Sequence, residues 1–268
     1  GAHVVYENKV VTVTPGPVPT KGNVVPHESG TTLRLLLPVA ASICNVVAVD
    51  AKGRLPDRPL EPMLGEMKAH GVTFSRDKPP FTMTGRLQGG EFGMVGDVSS
   101  QFFSGLLLAA PQCGGATITS TTPLQSSDYV TLTTTTMADF GVTVDHTPAS
   151  GTVQESFAVA ANATFKGQSN YQIEGDWSNT AIWMVAAGMT GKPITITGMN
   201  KNSVQADRRI MQIMIDAGCD VVWDGMNVTV TGRAVKPIHA DLEQMPDMLP
   251  VMSALACSIQ GESSFVKG

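Results

Sequence analysis

No apolar run in this 268-residue sequence approaches the 18 or so residues needed to cross a bilayer; the longest candidate, Leu33 to Ala41, is far too short. Cysteine is scarce. Cys44, Cys113, Cys219 and Cys257 lie far apart and without a CxxC pair, which suits neither a disulfide framework nor a zinc site and fits buried thiols in a reducing compartment. Charged residues are thin, at 15%, and their excess of acid leaves a net charge of −5. That balance argues against a general nucleic-acid binder, while leaving room for a local basic pocket for a small anion. No basic-then-apolar leader opens the sequence, so a cytoplasmic protein is expected. The five histidines have no mutual spacing that suggests a metal site or a triad. What is plentiful is apolar residue, 42% of the chain, enough to fill one large domain or two ordinary ones.

A local pattern recurs about every 70 residues. An amphipathic helix ends on a glycine and is followed by a strand, as in LEPMLGEMKAHG-VTFS, where Leu60, Met63, Leu64 and Met67 follow the spacing of one helical face. Gly71 stands there at the left-handed cap position, and Gly141 and Gly218 end the later copies VTLTTTTMADFG and DRRIMQIMIDAG. A second helix series begins after small polar residues that suit N-caps, at Ser29, Val98, Asp176 and Pro246. Short β-rich runs lie between the helices, such as 45–49 and 194–197, and a hairpin closes each unit, with Asp224-Gly225 as the expected turn in the third. The predicted fold class is therefore α/β (α+β), built from repeated βαβαββ units. Units are whole over about 20–84, 91–160 and 170–232. A fourth starts near 237, and the first fifteen residues look like the tail of another, so the chain reads as the middle of a longer one. Two domains are expected, 1–160 and 161–268.

Several helix starts carry residues that could do chemistry. Ser29-Gly30-Thr31-Thr32 is either a plain N-cap or an anion site, in which free N–H groups face a phosphate that the glycine lets approach. Arg54 and Arg58 flank Pro56 in an Asp/Pro-rich loop. A solvated turn pairing Arg58 with Asp57 is one reading, and a guanidinium fork for phosphate is the other. Ser99, Ser100 and Gln101 open another helix, with Ser126 and Tyr129 in the strand–helix loop of the same unit. These serines are caps or, together, a neutral phosphate cradle. Asp247 precedes the last helix, as a first-turn acid or as a proton acceptor. Asp207 reads as an N-terminal helix charge, and the 14 methionines read as core.

The motifs ESGTTLR (28–34), GRLPDRPLEPM (53–63), GDVSSQFFSGLLLAAP (96–111), LQSSDYVTLT (124–133), EGDWSNTA (174–181), NSVQADRR (202–209) and MPD (245–247), in this order, make the sequence resemble the enolpyruvyl transferases of the shikimate branch. The resemblance covers essentially the whole chain. It implies six βαβαββ units in two domains, of which this chain would hold the central part. It implies transfer of the enolpyruvyl group of phosphoenolpyruvate to the 5-hydroxyl of shikimate 3-phosphate by addition–elimination, as in aromatic amino-acid biosynthesis, with no metal or other cofactor. It assigns Gly30, Arg58 and Gln101 to phosphoenolpyruvate. It assigns Ser99, Ser100, Gln101, Ser126, Tyr129 and Asp247 to shikimate 3-phosphate, with Asp247 as the catalytic base; Arg54 receives no role. Glu28-Ser29 departs from the Asn-Ala that often stands in the family motif. The sister enzymes acting on UDP-N-acetylglucosamine carry a catalytic Cys in the loop matching Lys52–Pro59, where this sequence has none. That branch and a non-catalytic phosphate-binding fragment are the alternatives. The family's N-terminal Lys-Ser motif and its Lys-Glu-x-Asp-Arg loop fall outside the sequence, so part of the catalytic set is expected elsewhere. A monomer is implied, with no nucleic acid or membrane as partner.

Overall fold

Alternating Val and Thr on either side of Asn8-Lys9 form an antiparallel hairpin of β1 (His3–Glu7) and β2 (Val10–Thr14). Asn8 and Lys9 both have positive φ, 52° and 65°, as a two-residue turn matched to the strand twist requires. The computed structural model describes residues 1–261 and 263–267.

The first full repeat runs β3 (Lys21–Val24), α1 (Gly30–Ile43), β4 (Val46–Val49), α2 (Met63–Ala69), β5 (Thr73–Phe74), β6 (Phe81–Thr84). The second runs β7 (Gly90–Met94), α3 (Ser100–Ala109), β8 (Ala116–Ser120), α4 (Ser127–Asp139), β9 (Val144–Thr147), β10 (Ser156–Val159). Both form four-stranded sheets of identical topology, β3-β4-β6-β5 and β7-β8-β10-β9. In each, the strands joined through the first helix are parallel, and the remaining pairings are antiparallel. Gly71, Gly141 and Gly218 take φ of 94°, 81° and 101°, the backbone that ends the second helix of each repeat.

The third repeat has α5 (Trp177–Thr190), β11 (Ile194–Ile196), α6 (Ile210–Asp216), β12 (Asp220–Asp224) and β13 (Asn227–Thr231). Its sheet, β11-β13-β12, lacks the leading strand of the βαβαββ pattern among the described residues. Residues 168–175 are irregular instead: Ile173 is turned out to solvent, and the Gly175 N–H goes to the Gly198 carbonyl beyond β11. The register pairs Asp224 with Asn227, which moves the turn one residue on from the expected Asp224-Gly225, to Gly225-Met226. The fourth repeat supplies β14 (His239–Asp241), α7 (Leu249–Ser258) and β15 (Phe265–Lys267), with β14 and β15 parallel.

The chain divides into two compact units, residues 1–124 with 133–167, and residues 125–132 with 168 onward. In the first, Leu33 and Leu37 of α1 pack among Phe102, Phe103, Leu106 and Leu107 of α3, all buried. Gly105 lets these two backbones approach: a methyl there would stand 2.5 Å from the Arg34 carbonyl oxygen. The second unit has its own core, in which Trp177, Ala181 and Met184 of α5 meet Ile210 and Met214 of α6 and Met252 and Leu255 of α7. Among the described residues no helix is long and apolar enough to cross a membrane.

Candidate active site

In the first unit the start of α1 is a true cap. Ser29 is extended (φ −81°, ψ 108°), and its Oγ accepts from the Thr32 N–H at 3.1 Å. The loop after β4 folds back over this helix end, held by the Lys52 N–H donating to the His27 carbonyl at 2.7 Å. A short 3-10 turn, Leu55–Asp57, buries Leu55 and delivers Arg58. A Cβ built on Gly30 would meet Arg58 Nη1 at 3.1 Å, so the guanidinium lies directly against the glycine at the helix start. Asp57 does not neutralise it. Its Oδ1 pairs with Lys78 Nζ at 3.1 Å, which removes the solvated Arg58–Asp57 turn from consideration. A cavity of about 290 Å³ is lined by Arg54, Asp57 and Arg58.

A second guanidinium joins Arg58. Arg34, one turn into α1, donates from Nη1 to Gln101 Oε1 at 3.0 Å and from Nη2 to the Pro59 carbonyl at 3.1 Å, and it lies over the Phe102 ring. Gln101 Nε2 in turn donates to Thr31 Oγ1 at 2.8 Å. Burial first, and then the like charge of Arg58, lowers the pKa of Arg34 below the ordinary arginine value. Among the described residues neither arginine has a carboxylate partner within ion-pair distance. Two positive groups near a glycine-bearing helix start, Arg34 held by neutral hydrogen bonds and Arg58 against Gly30, leave their charge for an anion to neutralise. The sequence reading carried Arg34 only as part of a motif. The signal that could have found it is its position one turn after Gly30, on the side that faces the start of α3.

Ser99 caps α3, its Oγ accepting from the Gln101 N–H at 3.3 Å, and Ser100 is buried in the first turn. Ser126 and Tyr129 belong to the second unit. Ser126 takes a positive φ of 54°, unusual for a residue with a side chain, and α4 begins immediately after it. Tyr129 therefore stands in the first turn of α4 and not in a loop. Gln244 Oε1 accepts from the Ser127 N–H at 3.0 Å, which ties this helix start to the segment that carries Asp247.

Asp247 is exposed, in the 3-10 turn Pro246–Met248 that leads into α7. The Tyr129 pKa is raised well above the ordinary phenol value, by burial first and then by the negative charges of Asp207 and Asp247. Asp207 stands at a helix start, as the sequence suggested, but buried. It lies in the 3-10 turn Ala206–Arg209 that precedes α6, 3% exposed, and accepts a short hydrogen bond from Ser178 Oγ. Burial raises its pKa ahead of the nearby Asp247 and Asp176 charges. Among the described residues no three His, Cys, Asp or Glu side chains are placed to hold a metal ion.

The fold has solved counterparts. It matches the EPSP synthase of Acinetobacter baumannii with a TM-score of 0.71 at 20% identity, over 99% of this chain and 62% of that one. It matches the enolpyruvyl transferase NikO of Streptomyces tendae with a TM-score of 0.64 at 18% identity, over 99% of this chain and 64% of that one. The repeated units are thus those of the enolpyruvyl transferase fold. Sequence narrows this further. Residues 1–268 match the family model for EPSP synthase (3-phosphoshikimate 1-carboxyvinyltransferase), and the chain belongs to that family. The 3-phosphoshikimate 1-carboxyvinyltransferases of Clostridium kluyveri and Methanocorpusculum labreanum are 35% and 34% identical to it, over 92% and 98% of its length. The chain spans 57% and 62% of those two relatives.

Proposed function

We propose that this chain is the central part of an enzyme that moves the enolpyruvyl group of phosphoenolpyruvate to the 5-hydroxyl of shikimate 3-phosphate and releases phosphate, acting as a cytoplasmic monomer. The observation that carries the reading is the pair Arg34 and Arg58, uncompensated by any carboxylate among the described residues, around Gly30 at the start of α1. A phosphate monoester brings two negative charges and three acceptor oxygens, which suits two guanidinium forks and a capped helix end. In this reading Gly30, Arg58 and Gln101 hold phosphoenolpyruvate, and Arg34 orients Gln101. Ser99, Ser100, Gln101, Ser126, Tyr129 and Asp247 are assigned to shikimate 3-phosphate.

The chemistry follows from those placements. The 5-hydroxyl oxygen forms a bond to C2 of phosphoenolpyruvate while its proton passes to the Asp247 carboxylate and C3 gains a proton from an acid. Loss of a C3 proton then re-forms the double bond as the C2–O bond to phosphate breaks. Arg34 and Arg58 stabilise the charge that gathers on the departing phosphate.

The test is a kinetic comparison in the protein at the full length of its relatives. Gly30→Ala places a methyl 3.1 Å from Arg58 Nη1, and Arg58→Lys removes the planar fork. Each variant should raise KM for phosphoenolpyruvate by at least roughly tenfold and leave KM for shikimate 3-phosphate within about twofold. Equal changes for both substrates would place these residues at the other ligand.

A further inference from the structure

The phosphate chemistry above leaves one buried group of the second unit without a task. Asp207 is 3% exposed, its Oδ2 takes the Ser178 hydroxyl, and its Oδ1 is shielded from solvent with no hydrogen-bond partner among the described residues. Among the described residues, the groups that act on its charge are a hydroxyl and two carboxylates, with the Tyr129 phenol nearby. Ser178 comes from α5, Asp176 from the cap of that helix, Tyr129 from α4 and Asp247 from the turn before α7. The cations that follow it in sequence do not answer its charge: Arg209 Nη2 pairs with Asp128 at 2.5 Å, and Arg208 Nη1 donates to the Lys201 carbonyl at 3.0 Å. Asp176 is already engaged, accepting from the Ser178 and Asn179 N–H groups at 2.8 and 3.3 Å as the cap of α5. An ionised Asp207 would therefore be a buried charge with one donor, no counter-ion and two acidic neighbours, an arrangement that a carboxyl group escapes by taking up a proton.

We propose that Asp207 is a positioning residue for Asp247 and Tyr129: a carboxyl that holds a proton at neutral pH, fixes the Ser178 side of the group through Oδ2, and leaves Asp247 as the negative charge presented to the ligand. The inference rests on the reading of Asp247 as the group that faces the 5-hydroxyl. It makes the second unit's acids a divided set, in which Asp176 caps a helix, Asp207 is neutral and buried, and Asp247 is exposed and charged. Ionising Asp207 at higher pH would add a negative charge near a doubly charged phosphate ester and weaken its binding.

The sign of the pH effect follows. The folded-state pKa of Asp207 is raised, so its contribution to stability is complete below the ordinary carboxylate pKa of about 3.9 and is lost as pH rises through the raised value. Asp207→Asn, which keeps the shape and cannot ionise, should gain stability relative to the unchanged chain on going from pH 4 to pH 9. Urea unfolding of this chain and the variant across that range measures the difference. Carbon-13 NMR of the aspartate carboxyls, assigned by the same variant, gives the titration directly. An Asp207 carboxyl still protonated at pH 7 supports the proposal, and one already ionised at pH 7 overturns it. Calorimetric titration of the full-length protein with shikimate 3-phosphate adds the functional arm. As pH rises through the Asp207 titration seen by NMR, the unsubstituted protein should lose affinity roughly three- to tenfold more than Asp207→Asn does. Equal pH profiles overturn the positioning role. Absence of binding by the unsubstituted protein would instead overturn the assignment of the ligand, and the carboxyl titration would still decide the state of Asp207.

Discussion

At the residue scale, the same few atoms serve structure and chemistry at once. Ser29 and Ser99 are helix caps by geometry, and their neighbours Gly30, Ser100 and Gln101 carry the proposed ligand contacts because a capped helix end still offers N–H groups that point outward. Substituting Ser99, Ser100 and Ser126 together by Ala should remove hydroxyls worth roughly 1.5–3 kcal/mol each toward a charged ligand, and lower the affinity for shikimate 3-phosphate at least about a hundredfold. Calorimetric titration of the full-length protein is the check, and unchanged affinity would remove these serines from the site. The identity of Gly30 and Arg58 as candidates was legible in sequence, since glycine after a cap and arginine before Pro59 are local patterns. The part played by Arg34 was not, because it depends on Gln101, 67 residues away, arriving within 3.0 Å. The helix-start position of Asp207 was legible too, but its burial was not, because a carboxylate at a helix start looks the same in sequence whether water or Ser178 covers it.

At the scale of elements, periodicity located helices better than it located their ends. The run Thr131–Thr136 is rich in β-branched residues that disfavour helix, yet α4 spans it. Burial of Val130 and Met137, two turns apart on one face, outweighs the propensity. The leading strand of the third repeat was expected from the pattern of the first two and is absent among the described residues, where β11 stands at the edge of its sheet. The packing of α1 on α3 makes a sharp test. A methyl at position 105 would stand 2.5 Å from the Arg34 carbonyl oxygen, a backbone atom that cannot turn aside. Gly105→Ala should therefore cost about 1–3 kcal/mol, despite the higher helix propensity of alanine. Urea unfolding measures it, and a neutral or stabilising result would mean that the two helices are not in close contact. The same shift of α1 would move Arg34, so this variant should also raise KM for phosphoenolpyruvate in the full-length protein.

At the scale of the whole molecule, the repeat is what made the architecture readable. Glycines spaced about 70 residues apart mark helix ends in the sequence, and each marks a left-handed backbone in the structure. Family membership then rests on the match along residues 1–268 and on relatives about one-third identical. The chain holds the arginine pair, the capped serines and the Tyr129–Asp207–Asp247 group, and it spans 57% of the Clostridium kluyveri relative. Positioning and electrostatic stabilisation each supply several kcal/mol of a transferase barrier, so a partial set of groups should bind better than it turns over. Phosphate release in the presence of both phosphoenolpyruvate and shikimate 3-phosphate tests this most directly, measured on the 268-residue chain and on the protein at the full length of its relatives. The expected result is turnover by the long form that requires both substrates, with at least about a thousandfold less from the short one. No release by the long form with both substrates present would contradict the proposed reaction.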